Sequence, residues 1–172
     1  FNANGSVCYN NSPDSCAKYG RLYDWSTAME LPSACNSSSC ANQVQSRHRG
    51  ICPAGWHVPS DGEWEVLVDF VGSNPGTKLK SATGWVDDGW GFIPGTDDFG
   101  FSALPGGYRH PIGSFYGVGS FGIWRSATEN EATSAENEAT GAWVRYMYSE
   151  HSGVSRDWSS EAFLYALRCL ED

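Results

Sequence analysis

Six cysteines, Cys8, Cys16, Cys35, Cys40, Cys52 and Cys169, carry the most definite chemistry in this 172-residue chain. None forms a C-x-x-C pair, and no histidine lies at zinc-finger spacing from one, so a zinc site is not what the pattern suggests. An even count with two close pairs reads as a disulfide framework, and therefore as a protein of an oxidising compartment, secreted or at a cell surface. Six cysteines allow many pairings that spacing alone does not decide. The expected set is Cys8–Cys16 and Cys35–Cys40 pinning short loops, with Cys52–Cys169 tying a central segment to the last strand.

Carboxylates are the next candidates. Asp87, Asp88, Asp97 and Asp98 crowd a glycine-rich stretch, and carboxylates with backbone carbonyls are the ligands calcium prefers. A structural calcium at Asp97 and Asp98 is one reading; the other is that the pair caps turns. Otherwise no cofactor is expected. Catalytic carboxylates need to face each other across a cleft. Glu63 and Glu65 differ by two positions on a helix and point to different sides, and Glu63 belongs to a capping box. No G-x-S-x-G elbow is present, and His57 reads as a hydrogen-bonded structural residue. The chain is therefore expected not to be an enzyme.

Recognition chemistry is better represented. Trp143, Tyr146, Tyr148 and Trp158 fall in the C-terminal third together with Arg125, His151, Arg156 and Asp157. Tyrosine and tryptophan offer large contact area at little entropic cost, and arginine beside aromatics is a frequent hot-spot composition. These eight residues are the expected ligand-binding set. Strand alternation permits only one of the sets Trp143/Arg145/Met147 and Val144/Tyr146/Tyr148 to face outward. Trp56, Trp64 and Trp124 are expected in the core.

The elements that must position these groups can be sketched. Ser60-Asp61-Gly62-Glu63 after Pro59 matches a capping box, and Trp64, Leu67, Val68 and Val71 form one face of a helix ending near Gly72. YDWSTAMEL (23–31) suggests a second, shorter helix, and 32–50 a loop closed by Cys35 and Cys40. Short strands are expected at 99–104 and 106–109, then an antiparallel meander through 142–148, 154–156 and 163–170. In the last of these Phe163, Tyr165, Leu167 and Cys169 share an inward face. A tandem repeat, ENEATSA (129–135) and ENEATGA (136–142), reads as a solvated insertion.

Charged residues make up only 18% and aromatics 14%, with 20 glycines, a mixture too apolar for disorder and too glycine-rich for a helical bundle. A net charge of -9 repels phosphate backbones, so nucleic acid is not an expected partner. No apolar run reaches the length of a membrane span. With no signal peptide in view, the chain is expected to begin at or after a processing boundary.

Four stretches, YGRLYDW (19–25), CPAGWHVPSDGEWEVL (52–67), GTDDFGFSALPGGYR (95–109) and LRCLED (167–172), resemble the Fibrobacter succinogenes major paralogous domain, in the right order over nearly the whole chain. WRSATE (124–129) is similar to that family's tryptophan-pair motif, with Arg125 in place of the second tryptophan. The family's opening segment upstream of the first cysteines is missing, which implies a trimmed N-terminal edge. The resemblance implies a single α+β domain over 1–172, C-type-lectin-like and loop-rich, with short antiparallel strands, about two helices and disulfide staples; the Cys52–Cys169 closure fits that architecture. It also implies a bacterial extracellular module, often part of a larger chain, that presents its C-terminal surface to a protein or glycan ligand. Some proteins of this kind are diversified by retroelements. The E-P-N or Q-P-D and W-N-D motifs of calcium-dependent sugar binding are absent. Formylglycine-generating oxidases share a related fold but use a reactive cysteine pair, which makes that enzyme class the alternative, alongside a structural or assembly module.

Overall fold

In the computed structural model, which describes residues 5–87, 89, 91–130 and 141–172, short elements succeed one another around three disulfides. Strand β1 (Ser6–Val7) pairs antiparallel with β2 (Leu22–Tyr23), with helix α1 (Pro13–Tyr19) between them. Helix α2 (Trp25–Met29) follows directly, because Asp24 accepts a hydrogen bond from Thr27 N at 2.8 Å and caps it. Strand β3 (Trp56–His57) leads into α3 (Asp61–Val71) and α4 (Pro75–Leu79). Strand β4 (Gly106–Arg109) pairs with β5 (Phe115–Val118). Strands β6 (Phe121–Glu129), β7 (Gly141–Tyr148) and β8 (Ser155–Ser160) form an antiparallel sheet in that order, and β9 (Leu170–Glu171) returns to pair with β3. This is a small α+β domain.

The capping box forms as its sequence demands: Glu63 N donates to Ser60 Oγ (3.2 Å) and Ser60 N to Glu63 Oε2 (2.8 Å). The apolar face of α3 then lays Trp64 and Val71 against Trp124 and Met147 of the sheet, with Trp64 and Trp124 ring centroids 6.3 Å apart. Burying side chains of this size contributes roughly 1.5–3 kcal/mol each. Two helices were not expected from periodicity, α1 and α4, and both begin with a proline at the first helical position. At seven and five residues they are too short to show an apolar stripe.

All three disulfides are as expected: Cys8–Cys16, Cys35–Cys40 and Cys52–Cys169. The last spans 117 residues and joins the segment before β3 to the run into β9.

Two expected strands take another form. Within 99–104 the backbone makes only a parallel bridge, Lys80 to Ala103. In 163–170, Leu164, Tyr165 and Ala166 bridge in turn to Arg109, Tyr23 and Trp124, each in a different neighbour, before β9 begins at Leu170. A ribbon that changes partner at every residue does not keep one inward face. Phe163 and Tyr165 pack with Ile123 and Val144, whereas Leu167 and Cys169 pack with Trp25 and Cys52. Most of the heptad repeat, 131–140, and Asp88 lie outside the described residues.

Candidate functional site

Period-two alternation along β7 divides the expected binding residues between two faces. Trp143, Arg145 and Met147 turn toward α3. Arg145 is buried and pairs with the Asp61 carboxylate, while its Nη2 donates to the Asp61 carbonyl at 3.0 Å. Arg156, opposite Arg145 in the β7–β8 register, donates from Nε to Asp61 Oδ2 at 2.9 Å, and its guanidinium carbon lies 3.3 Å from the centre of the Trp143 ring. Trp158 is paired across from Trp143 and is 39% exposed. Trp143, Arg156 and Trp158 thus gather at one end of this face, but the guanidinium is already committed to a carboxylate and a ring.

The other face carries Val144, Tyr146 and Tyr148. Here a hollow of about 210 Å³ is walled by Tyr108 of β4, Phe121 of β6, Tyr146 and Tyr148 of β7, and Phe163 and Tyr165, with Ile123 as its floor. Tyr146 and Tyr148 are parallel to within 4°, centroids 5.8 Å apart; Phe163 and Tyr165 repeat the arrangement at 14° and 5.8 Å. Tyr108 packs against the second pair, 6.1 Å from Phe163 and 5.9 Å from Tyr165. Gly107 makes that placement possible: its φ of +64° lies in the left-handed region, and a Cβ there would fall 2.4 Å from the Tyr116 carbonyl oxygen.

Burial raises the pKa of the Tyr146 phenol, with Tyr165 adding to the effect. The Tyr165 phenol is raised by burial too, against the opposing pull of its hydrogen bond with Ser159 Oγ at 2.8 Å and of Arg125. His151 borders the hollow, 5.7 Å from Tyr148, and Asp157, opposite Val144, belongs to the same face.

Arg125 does not belong to the surface. It is 0% exposed; its Nη2 donates to the carbonyls of Glu161 (3.0 Å) and Phe163, and its guanidinium lies 4.7 Å from the Tyr165 ring, behind the hollow. It fixes the 160–165 turn that delivers Phe163 and Tyr165, so its effect on a ligand is indirect. Trp64 and Trp124 are core as expected, whereas Trp56 is 38% exposed.

Trp56 borders a larger cleft of about 550 Å³, together with Tyr19, Arg21, Trp124 and Arg168. Both guanidiniums there are occupied, Arg21 with Ser6 Oγ (2.7 Å) and Ser6 O (2.8 Å), Arg168 with the Phe101 carbonyl and ring. The smaller hollow gathers six aromatic rings, two of them the expected binding residues Tyr146 and Tyr148, and is the better candidate.

The acidic loop is held by local hydrogen bonds. Asp97 turns its carboxylate back on its own loop and accepts from Ser102 N at 2.6 Å, and Asp87 caps Gly89 N at 2.9 Å. Asp98 is exposed, with its backbone N–H on Lys78 O. Among the described residues no three His, Cys, Asp or Glu side chains converge as metal ligands. Asp97 thus caps a turn, one of the two readings expected of the pair. His57 is buried with both ring nitrogens engaged, Nδ1 with Asp172 Oδ1 at 2.7 Å and Nε2 with Glu63 Oε1 at 3.0 Å.

The segments that carry the sequence resemblance are thus the ones that build the frame: 19–25 supplies β2 and the cap of α2, 52–67 the disulfide and α3, and 95–109 the approach to Tyr108. The model of one protein family, the Fibrobacter succinogenes major domain, matches residues 1–171. The chain belongs to this family. No curated protein and no solved structure matches it.

In this Fibrobacter succinogenes major domain all six cysteines are in disulfides. No helix among the described residues is long and apolar enough to cross a membrane. Disulfides and the lack of such a helix are compatible with an extracellular protein. Sequence reasoning missed Tyr108, Phe121, Phe163 and Tyr165 as site residues. The available signal was the density of aromatics in GGYR, SFYG and AFLY, stretches that the topology brings to one place.

Proposed function

We propose that this chain is a non-catalytic recognition domain of C-type-lectin-like architecture, acting outside the bacterial cell or at its surface, with the aromatic hollow of the β6–β7–β8 sheet as its ligand-binding face. The observation that carries the reading is the hollow itself: six aromatic rings from four separate segments converge on one half-exposed concavity rather than closing over it. The architecture is supported by the helix capped beside a disulfide that reaches the terminal strand, with β3 and β9 paired next to it. Aromatic faces with phenolic hydroxyls suit a protein side chain or a sugar ring, since each offers apolar area and a polar handle together. Retroelement-driven diversification would act on residues of this kind.

The test separates the two faces. Y148A is expected to abolish binding on an array of cell-wall and plant polysaccharides and bacterial surface proteins, and W158A to leave it intact, with both variants melting close to the unsubstituted protein. Binding lost with W158A and retained with Y148A would overturn the choice of face.

A second reading, an assembly module of a larger surface protein, is favoured by one observation. Val66 and Phe70 on α3 are 69% and 74% exposed, and Phe70 meets exposed Phe99 at 5.6 Å. Concentration-dependent self-association that F70E removes would support it.

A further inference from the structure

Several aromatic rings of this protein are already matched by cations. Arg156 lies 3.3 Å from the Trp143 ring, Arg168 4.3 Å from Phe101, Arg125 4.7 Å from Tyr165 and Lys80 5.1 Å from Trp85. Among the described residues no arginine or lysine stands over Tyr146, Tyr148, Tyr108 or Phe121. Those four rings are half-buried and line the hollow.

Their parallel spacing matters. Tyr146 and Tyr148 are two residues apart on one strand, and their rings stack parallel on the same face of the sheet, centroids 5.8 Å apart. Phe121 meets Tyr148 almost at right angles, at 86° and 5.2 Å, and forms a wall to that face. An aromatic face carries the negative side of the ring quadrupole and attracts a cation within about 6 Å of its centre.

The charges around the hollow have the same sign. Asp157 shares the face of Val144 and Tyr146 through the β7–β8 register, and Glu150 follows the end of β7. Burial raises the Tyr148 phenol pKa first, and Asp157 and Glu150 raise it further, the mark of a negative local potential. Arg125, which the β6–β7 register puts on this side of the sheet, is buried behind Tyr165 and bonded to the Glu161 and Phe163 carbonyls. The whole chain carries a net charge of -9.

We infer that the hollow takes the guanidinium of an arginine presented by a protein partner, stacked on Tyr146 and Tyr148 with Asp157 at its edge. The inference rests on the hollow being the binding face. Arginine is favoured over lysine because its planar, weakly hydrated head stacks on rings while its N–H groups reach a carboxylate in the same plane. A volume of about 210 Å³ accommodates such a side chain but not a folded element.

The experiment compares Nα-acetyl-arginine N-methylamide with its uncharged citrulline counterpart, titrated into the full chain carrying ring-labelled tyrosine and followed by NMR. The arginine compound should shift the Tyr146 and Tyr148 ring signals and bind about tenfold more tightly than the citrulline one, with the preference shrinking as salt is added. D157N retains an oxygen to accept from Trp158 N and removes the charge, so it should bring the two compounds toward equality. Equal binding of both compounds to the unsubstituted protein would overturn the cation while leaving the hollow a binding site. Failure of both to shift these rings also overturns it, and the fate of the hollow then rests on Y148A in the array.

Discussion

Arg145 and Asp61 are joined twice, guanidinium to carboxylate and guanidinium to the Asp61 carbonyl oxygen, across the interface between the sheet and the first turn of α3. Both are buried, and Arg156 reaches the second carboxylate oxygen from the solvent side. The site therefore holds one carboxylate between two guanidiniums.

Removal of that carboxylate has a definite expected cost. D61N leaves Arg145 charged, buried and unpaired, and should destabilise the domain by about 3–5 kcal/mol. R156A removes the partner with the more exposed side chain and should cost about 1 kcal/mol or less beyond its stacking on Trp143. Urea unfolding monitored by tryptophan fluorescence measures both. Equal losses would mean that Asp61 is not the hub.

The disulfides should differ in weight. In the chain-entropy account the stabilisation grows with the loop closed, to about 5 kcal/mol for the Cys52–Cys169 bridge and about 2 kcal/mol for Cys35–Cys40. C52S/C169S should therefore lower the melting temperature well beyond C35S/C40S, in parallel thermal scans. Similar losses would indicate that β9 is held by its hydrogen bonds to β3 rather than by the covalent tie.

Those features were legible because their signals are local or chemically unique. The capping box is four adjacent residues; an even count of cysteines with two close pairs marks a disulfide framework, although spacing alone does not choose the pairing; β7 is a run of β-friendly side chains. The hollow was not legible, since Tyr108, Phe121, Tyr148 and Tyr165 come from segments that meet only through tertiary packing. Arg125 shows why charge misleads. Its chemistry suggests solvent, yet it is buried because a turn 35–38 residues downstream supplies carbonyl acceptors. Arg156 misleads in the opposite sense: its guanidinium is partly exposed and still committed to Asp61.

Acid sensitivity should trace to Glu63. Burial works against its charge, but hydrogen bonds from Ser60 N, Ser60 Oγ and His57 outweigh it and hold the carboxyl below its ordinary value of 4.5. A carboxylate depressed on folding contributes stability that is fully present above its unfolded pKa and is lost as pH falls through the folded one. The unsubstituted protein should lose stability on that descent, whereas E63Q starts lower and loses less. Denaturant midpoints at stepped pH values from neutral downward read the difference; parallel curves would remove Glu63 from the account.

Lys80 should shape the alkaline limb. It is fully buried, and its ammonium donates to the carbonyls of Ile93 (2.6 Å), Tyr148 (3.0 Å) and His151 (3.1 Å), which ties α4 to the loop before Gly95 and to the end of β7. Burial lowers its pKa to about 8, with Glu150 pulling the other way. Between about 8 and the unfolded value of 10.5 the folded chain holds fewer protons than the unfolded one, so this group makes stability rise with pH across that window and adds no slope below it. K80M removes the slope and takes the ammonium donor from these carbonyls and from that of Ser149, at an expected cost of about 1–3 kcal/mol at neutral pH. The unsubstituted protein should therefore gain on K80M as pH climbs through the window, a divergence that paired unfolding curves detect. A constant gap would mean that the ammonium keeps its proton throughout, held by its carbonyl acceptors against the desolvation that burial imposes.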